Sequence, residues 1–296
     1  MQSGLRIAVG IATAGRRSIL SETLVELARQ TRLPEALLVC PAAPDDFDAS
    51  QVAQLPFPVQ VVEGSRGLPA QRNAILDGAQ DFDVVMFFDD DFFPEPSYLA
   101  ELDVCLTANP LVVAATGRTL ADDIGGPGLN AGEARAILAS FVPSEDASPL
   151  VSQFSAYGCN MAMRLAPVRA HGLRFDENLP LYGWAEDVDF CRQIAAYGRI
   201  VKNPRMTGVH LGVKSGRTSG IRFGYSQIAN PYYLWRKGTT QAGGALHQML
   251  RNILANVVKS IKPEPWIDRR GRAVGNALGL ADFVRGRLDP RRILDL

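Results

Sequence analysis

Apolar runs and helix-spaced segments alternate along the first third of the chain. "RIAVGIATA" (6–14) is a short run rich in Ile and Val, ended by Gly-Arg-Arg, and reads as a buried strand. "SILSETLVELARQT" then places Ile19, Leu20, Leu24, Leu27 and Ala28 at helical spacing, with Ser18 as a cap and Glu22 in the first turns. "ALLVCPAAP" (36–44) predicts a second buried strand, stopped by prolines, and "FPVQVVEG" (57–64) a third. "LPAQRNAILDGAQ" (68–80) predicts a helix, and "FDVVMFFDDD" (82–91) another apolar strand. This alternation argues for an α/β fold with a mostly parallel sheet flanked by helices.

The pattern weakens from Leu111 to Pro149. "LVVAATGRTL" fits a strand, and "DDIGGPGLNAGEARAILASF" a glycine-rich loop leading into a helix. "FSAYGCNMAMRL" (154–165) alternates like a strand. "EDVDFCRQIAAYG" (186–198) carries Val188, Cys191, Ile194 and Ala195 on one helical stripe and ends at Gly198, a candidate C-cap. After Tyr225 come two further helical stretches. They divide the chain into an α/β unit over 1–224, with halves of about 1–115 and 116–224, and a C-terminal helical appendage over 225–296.

The composition excludes several classes. The chain has 31 basic and 31 acidic residues among 296, so it carries no overall charge bias toward nucleic acid. Cys40, Cys105, Cys159 and Cys191 are scattered, without metal-site or disulfide-framework spacing, which fits a reduced setting. The opening "MQSGLRIAVGIATAGRR" lacks the basic lead of a secretory signal, and no apolar run is long enough to span a membrane. A cytoplasmic protein is expected, with peripheral attachment to the inner face of the membrane left open.

Candidate chemistry concentrates at acidic clusters. In "VVMFFDDDFFPEP" (84–96), Asp89, Asp90 and Asp91 end an apolar strand, and in open α/β sheets ligands bind beyond the carboxyl ends of strands. Carboxylates two apart suit a divalent metal such as Mg²⁺ or Mn²⁺; a solvated acidic turn is the alternative. A second cluster, "GWAEDVDF" (183–190), starts a helix, where acids also serve the helix dipole. Trp184 beside those carboxylates is suited to holding a sugar ring and desolvating a base. His210, one of three histidines, stands in "VHLGVKSGR" (209–217). It is either structural or, with Lys214 and Arg217, a contact for a metal-bound diphosphate.

Four segments, in order, resemble family 2 glycosyltransferases: "VGIATAGRRSILSETLVELARQT", "EGSRGLPAQRNAIL", "VVMFFDDDFFPEP" and "GCNMAMRLAPVRAHGLRFDENLPLYGWAEDVDFCRQIAAYG". The resemblance covers about residues 5 to 215. It implies a GT-A, Rossmann-like fold and an inverting, nucleotide-sugar-dependent transferase, with Mn²⁺ or Mg²⁺ as cofactor. It implies that Asp89 binds the donor ribose and Asp91 the metal bridging the diphosphate, with Asp90 assisting. Asp187 would be the general base, Glu186 would position the acceptor, and Trp184 lies beside them. Thr13, Arg16, Gly67, Arg72 and Asn73 would line the nucleotide pocket, and His210 would be a further metal or diphosphate contact. The implied partners are a UDP-, GDP- or dTDP-sugar donor and a saccharide or lipid-linked saccharide acceptor, as in bacterial polysaccharide or glycolipid assembly. The chain departs from the pattern at Ala12-Thr13, where the family has Pro-Thr. It departs again after the second strand, where prolines displace Asp45 and Asp46, so the nucleotide base is not fixed.

Two other classes bear on the same residues. An aspartate-nucleophile phosphatase needs Asp-X-Asp-X-Thr, but Phe93 occupies the Thr position. A nucleotide-sugar-binding protein without turnover would keep the first acidic cluster but not need the second. In the tail, Leu246, Met249, Leu250, Ile253, Leu254, Val257, Val258 and Ile261 form a continuous apolar stripe over 245–261. The stripe fits a helix packed on the catalytic unit, or a basic amphipathic surface touching a membrane.

Overall fold

The structure, a computed structural model, describes residues 4–142, 149–216 and 218–296, and all structural statements refer to these. The first half contains β1 (Ile7–Thr13), α1 (Arg17–Leu27), β2 (Ala36–Pro41), β3 (Val59–Val61), α2 (Leu68–Gly78), β4 (Val84–Phe88), β5 (Phe92–Pro94) and α3 (Tyr98–Ala108). Then follow β6 (Val112–Asp122), α4 (Ala131–Ser140), β7 (Val151–Ser152), β8 (Asn160–Arg164), α5 (Leu165–His171), α6 (Glu186–Ile194) and β9 (Arg199–His210). Three helices close the chain: α7 (Gly220–Lys237), α8 (Ala242–Lys259) and α9 (Arg269–Val284).

The strands form one sheet in the order β3-β2-β1-β4-β8-β6-β9-β5, with β7 also pairing β9. β1 to β4, β6 and β9 run one way; β5, β7 and β8 run the other. The expected mostly parallel sheet is therefore present, with β8 inserted antiparallel between β4 and β6. The continuous apolar runs of β1 and β4 have a simple cause: both faces of these strands are covered. Ile7, Val9, Ile11, Val84, Met86 and Phe88 pack toward α1 and α3. Ala8, Val85 and Phe87 pack toward α2, α5 and α6.

Some boundaries differ from the sequence reading. Arg16, not Ser18, occupies the cap position of α1. The stripe beginning at Glu186 stops at Ile194, and a 3-10 turn carries Ala195–Tyr197. Gly198 has extended backbone (φ 167°) and makes no left-handed cap. The strand expected over 154–165 is confined to Asn160–Arg164.

The topology gathers one edge. β1, β4, β6 and β9 are co-directional, so Thr13, the Asp89–Asp91 turn, Asp122 and His210 all fall at the same end of the sheet. Register brings them closer still: His210 is opposite Phe92 on one side and Asp122 on the other.

Candidate functional site

A cleft of about 240 Å³ opens at that edge. Its walls include Thr13, Arg16, Gly67, Gln71, Asp89 and Asp90, with Arg66, Tyr182, Ser219 and Arg222 completing the rim. Thr13, Arg16, Gly67, Asp89 and Asp90 are therefore together, as the sequence reading placed them. Gln71, Arg66, Tyr182 and Arg222 were missed. Arg222 comes from α7, outside every segment that carried the resemblance, and Gln71 is an ordinary helix residue until its amide is seen donating to Thr13 O and Cys40 O.

The three aspartates do different things. Asp90 is buried; its carboxylate accepts from Thr13 Oγ1 at 2.8 Å and Arg16 Nη1 at 2.9 Å. Burial pushes its carboxyl up to about 7, against the pull of Arg16. Burial likewise opposes the charge on Arg16, but Asp90 and Asp91 outweigh it and raise the guanidinium above its usual value. Asp91 is 1% exposed, and its Oδ2 accepts from Val213 N at 2.8 Å. Burial alone would raise its carboxyl; His210, Arg16 and the Val213 N–H overcome that and hold it at about 2.

Asp89, Asp91 and His210 each offer a ligand atom within 4.8 Å of the others. Asp91 Oδ1 is buried with no hydrogen-bond donor among the described residues, and His210 Nε2 lies 3.4 Å from it. His210 Nδ1 is 2.9 Å from Asp122 Oδ1, and Tyr157 Oη donates to Asp122 Oδ2 at 2.9 Å. Burial would depress His210, but Asp122 and Asp91 raise it to about 10, so a proton holds the pair together when no cation does. In the neutral ring with Nδ1–H given to Asp122, the Nε2 lone pair faces the Asp91 acceptor, an arrangement that suits a metal cation in place of that proton. The donor set of two carboxylates and an imidazole fits a divalent metal such as Mn²⁺ or Mg²⁺. Asp122 was not singled out by sequence, since a lone aspartate ending a strand has no motif. Lys214 bonds the Asp123 and Ile124 carbonyls beside this cluster; Arg217 lies outside the described residues.

The second acidic cluster sits at the start of α6 and is linked to Asp89 through Arg72. The chain reaches it through a loop that turns left-handed at Leu181 (φ 60°), Gly183 (φ 61°) and Ala185 (φ 70°). For Leu and Ala that conformation costs about 1–2 kcal/mol each, which tertiary contacts must offset. One such contact is Leu68 N donating to Leu181 O, which ties the loop to the first turn of α2. Asp187 is half-buried; Gly158 N donates to its Oδ2 at 3.0 Å and Val188 N to its Oδ1 at 2.8 Å. Burial raises its carboxyl, with Arg72 pulling the other way. A side chain at position 158 would bring Cβ to 3.1 Å from that Oδ2, a crowded approach that glycine relieves. Trp184 is half-buried against Phe223, and its carbonyl accepts from Asn230 of α7.

Arg72 joins the two clusters. Its fully buried guanidinium pairs with Glu186, reaches Asp89 Oδ1 at 3.2 Å and donates to Gly158 O at 2.7 Å. Burial pushes Glu186 up to about 8 while Arg72 opposes it. The sequence reading put Arg72 and Asn73 in the nucleotide pocket; both are buried and neither lines the cleft. Asn73 instead exchanges hydrogen bonds with the Phe175 backbone and donates to Glu177. Asp46, displaced by the prolines, accepts from the Gly15 and Ala43 N–H groups.

No protein-family model matches the sequence, and no curated protein matches it. Solved structures do match the fold. The Staphylococcus aureus TarS 1–349 chain aligns with TM-score 0.58 and 16% identity, over 98% of this chain and 82% of that one. The chain spans only 40% of a longer TarS chain. The mannosyltransferase PcManGT from Pyrobaculum calidifontis, in complex with GDP-Man and Mn²⁺, aligns at 0.57 and 17% identity over 99% of this chain and 86% of its own. GalNAc-T7 with UDP, GalNAc and Mn²⁺ aligns at 0.56 and 12% identity, over 99% and 57%. At these identities the likeness carries the architecture, and with the sheet order and carboxyl-edge cleft described above, this chain has the GT-A fold of those glycosyltransferases.

Proposed function

We propose that the chain is a metal-dependent, inverting glycosyltransferase that moves a sugar from a nucleotide-sugar donor to a hydroxyl acceptor. The observation that carries this reading is the pairing of a metal-type cluster with a separate, desolvated carboxylate. Asp89, Asp91 and His210 stand on one side, Asp187 on the other, and Arg72 and the Gly158 backbone tie them together. The GDP-Man, UDP and Mn²⁺ found in the structural neighbours support the same reading.

In this reading the nucleotide lies in the cleft bounded by Thr13, Arg16, Gly67 and Gln71, and Asp89 holds the ribose. Asp91 and His210, with Asp89 close enough to join them, would hold the metal, which when bound would supply Lewis-acid stabilisation to the departing diphosphate. Arg16, Arg66 and Arg222 add positive charge where the diphosphate's negative charge develops. Asp187 accepts the acceptor's hydroxyl proton as the new glycosidic bond forms on the face opposite the leaving group. As it forms, the bond from the anomeric carbon to the diphosphate breaks, its electron pair going to phosphate oxygen. Glu186 pairs with Arg72 and holds it in place, and Trp184 offers a flat face to an acceptor ring. The sequence resemblance supports a saccharide or lipid-linked saccharide as the acceptor, in polysaccharide or glycolipid assembly.

A thermal-shift screen of UDP-, GDP- and dTDP-sugars with Mn²⁺ or Mg²⁺, followed by nucleoside diphosphate release, tests this. One donor series is expected to raise the melting temperature only with metal and to release its diphosphate. No shift with any donor would remove the basis for the reading.

A further inference from the structure

Helix α8 turns Ala245 and Asn256 inward and most of its apolar stripe outward, with Met249 and Ile253 half-buried between. Asn256 is 0% exposed; its amide donates to Gln227 Oε1 at 2.7 Å and Asn276 Oδ1 at 2.9 Å, and Arg269 donates to its Oδ1 at 3.3 Å. This buried network fixes the rotation of the helix, because turning it would strand several hydrogen-bonding groups. Leu246, Leu250, Leu254, Val257 and Val258 are consequently 55–65% exposed, and Ile261, just past the helix end, 86%. At 3.6 residues per turn the five helical positions lie within an arc of about 120°.

The charges around this face distinguish its occupants. Residues 241–263 contain no Asp or Glu; His247 lies within the arc, Arg251 along its edge and Lys262 beside Ile261. A second copy packed two-fold on the same face would oppose this cationic border with no carboxylate from α8 to answer it. An anionic lipid surface supplies that charge and takes the leucines and valines among its acyl chains. No helix among the described residues is long and apolar enough to cross a membrane, so contact would be along the surface. The same end of α8 leads toward the cleft edge. Trp266, in the connection to α9, donates to Gly125 O, and the preceding residues Asp122 and Asp123 hold His210 and Lys214.

We infer that the outward face of α8 docks this protein on an anionic bilayer surface. The inference stands on α8 and does not depend on the glycosyl-transfer reading. Flotation of the full chain with phosphatidylcholine vesicles, with and without phosphatidylglycerol, tests it. The wild type is expected to float with the anionic vesicles and much less with the neutral ones. Leu250→Glu with Leu254→Glu should lower the floated fraction at least roughly tenfold while leaving the melting curve unchanged, since both side chains already face solvent. Arg251→Glu with Lys262→Glu should remove only the preference for anionic lipid. Wild type that stays at the bottom of the gradient, or leucine variants that float as well as wild type, overturns the inference. So does a lipid-free dimer that the leucine variants dissociate without any flotation, which would assign the face to a second copy.

Discussion

At the residue scale, the aspartates are separable because each has its own partners. Asp187→Asn keeps the side-chain shape and one of the two oxygens that accept from the Gly158 and Val188 N–H groups, and removes the base. Turnover should fall about 10²- to 10⁴-fold with metal-dependent nucleotide binding retained, measured by diphosphate release and calorimetry on one preparation. Near-normal turnover would move the base elsewhere. Because burial raises Asp187, the acid limb of kcat/KM should be centred above the ordinary carboxylate value of 3.8, with activity rising as pH increases through it. That limb should be missing from the residual activity of Asp187→Asn. Asp122→Asn tests the residue that no motif announced. It removes the carboxylate behind His210, so Mn²⁺ affinity should drop roughly 10- to 100-fold with little change in turnover at saturating metal.

At the element scale, what could be read in the sequence followed from how each strand is buried. β1, β2 and β4 are covered on both faces and present uninterrupted apolar runs. β3 is a three-residue edge strand, shorter than its apolar run suggests. β9 escaped notice because Lys202, Asn203, Pro204 and Arg205 interrupt it, and register shifts against β6 absorb that stretch. The cluster at 186–187 was legible as acids before a helical stripe, but the residues that brace it were not. They come from α7, where Lys237 Nζ bonds Asp176 Oδ2 at 2.6 Å and the fully buried Asp189 Oδ2 at 2.7 Å. Lys237→Met leaves Asp189 buried beside Asp176 without its cation and should cost about 2–3 kcal/mol, read by denaturant unfolding. Adding Asp189→Asn should recover part of that loss; equal stability of wild type and Lys237→Met would show that α7 does not brace α6 through this pair.

At the scale of the whole molecule, the fold collects like charge that the chain alone would keep apart. Asp89, Asp91, Asp122 and His210 arrive from three strand ends, the first and last more than a hundred residues apart, because those strands are co-directional. The native state is thereby left with carboxylates whose repulsion a divalent cation relieves, whereas the unfolded chain presents no such cluster. Metal and nucleotide should therefore stabilise together. At a hundredfold excess over Kd a bound ligand adds about 2.7 kcal/mol, enough for a shift of several degrees in a chain of this size. We expect Mn²⁺ alone to give a small rise, Mn²⁺ with the matching nucleoside diphosphate a larger one, and EDTA to abolish both. Asp91→Ala should melt without responding to Mn²⁺, because the buried acceptor facing His210 Nε2 is gone. A wild-type melting temperature indifferent to Mn²⁺ at saturating nucleotide would leave Asp91 and His210 as a protonated structural pair and the cleft as a site that works without metal.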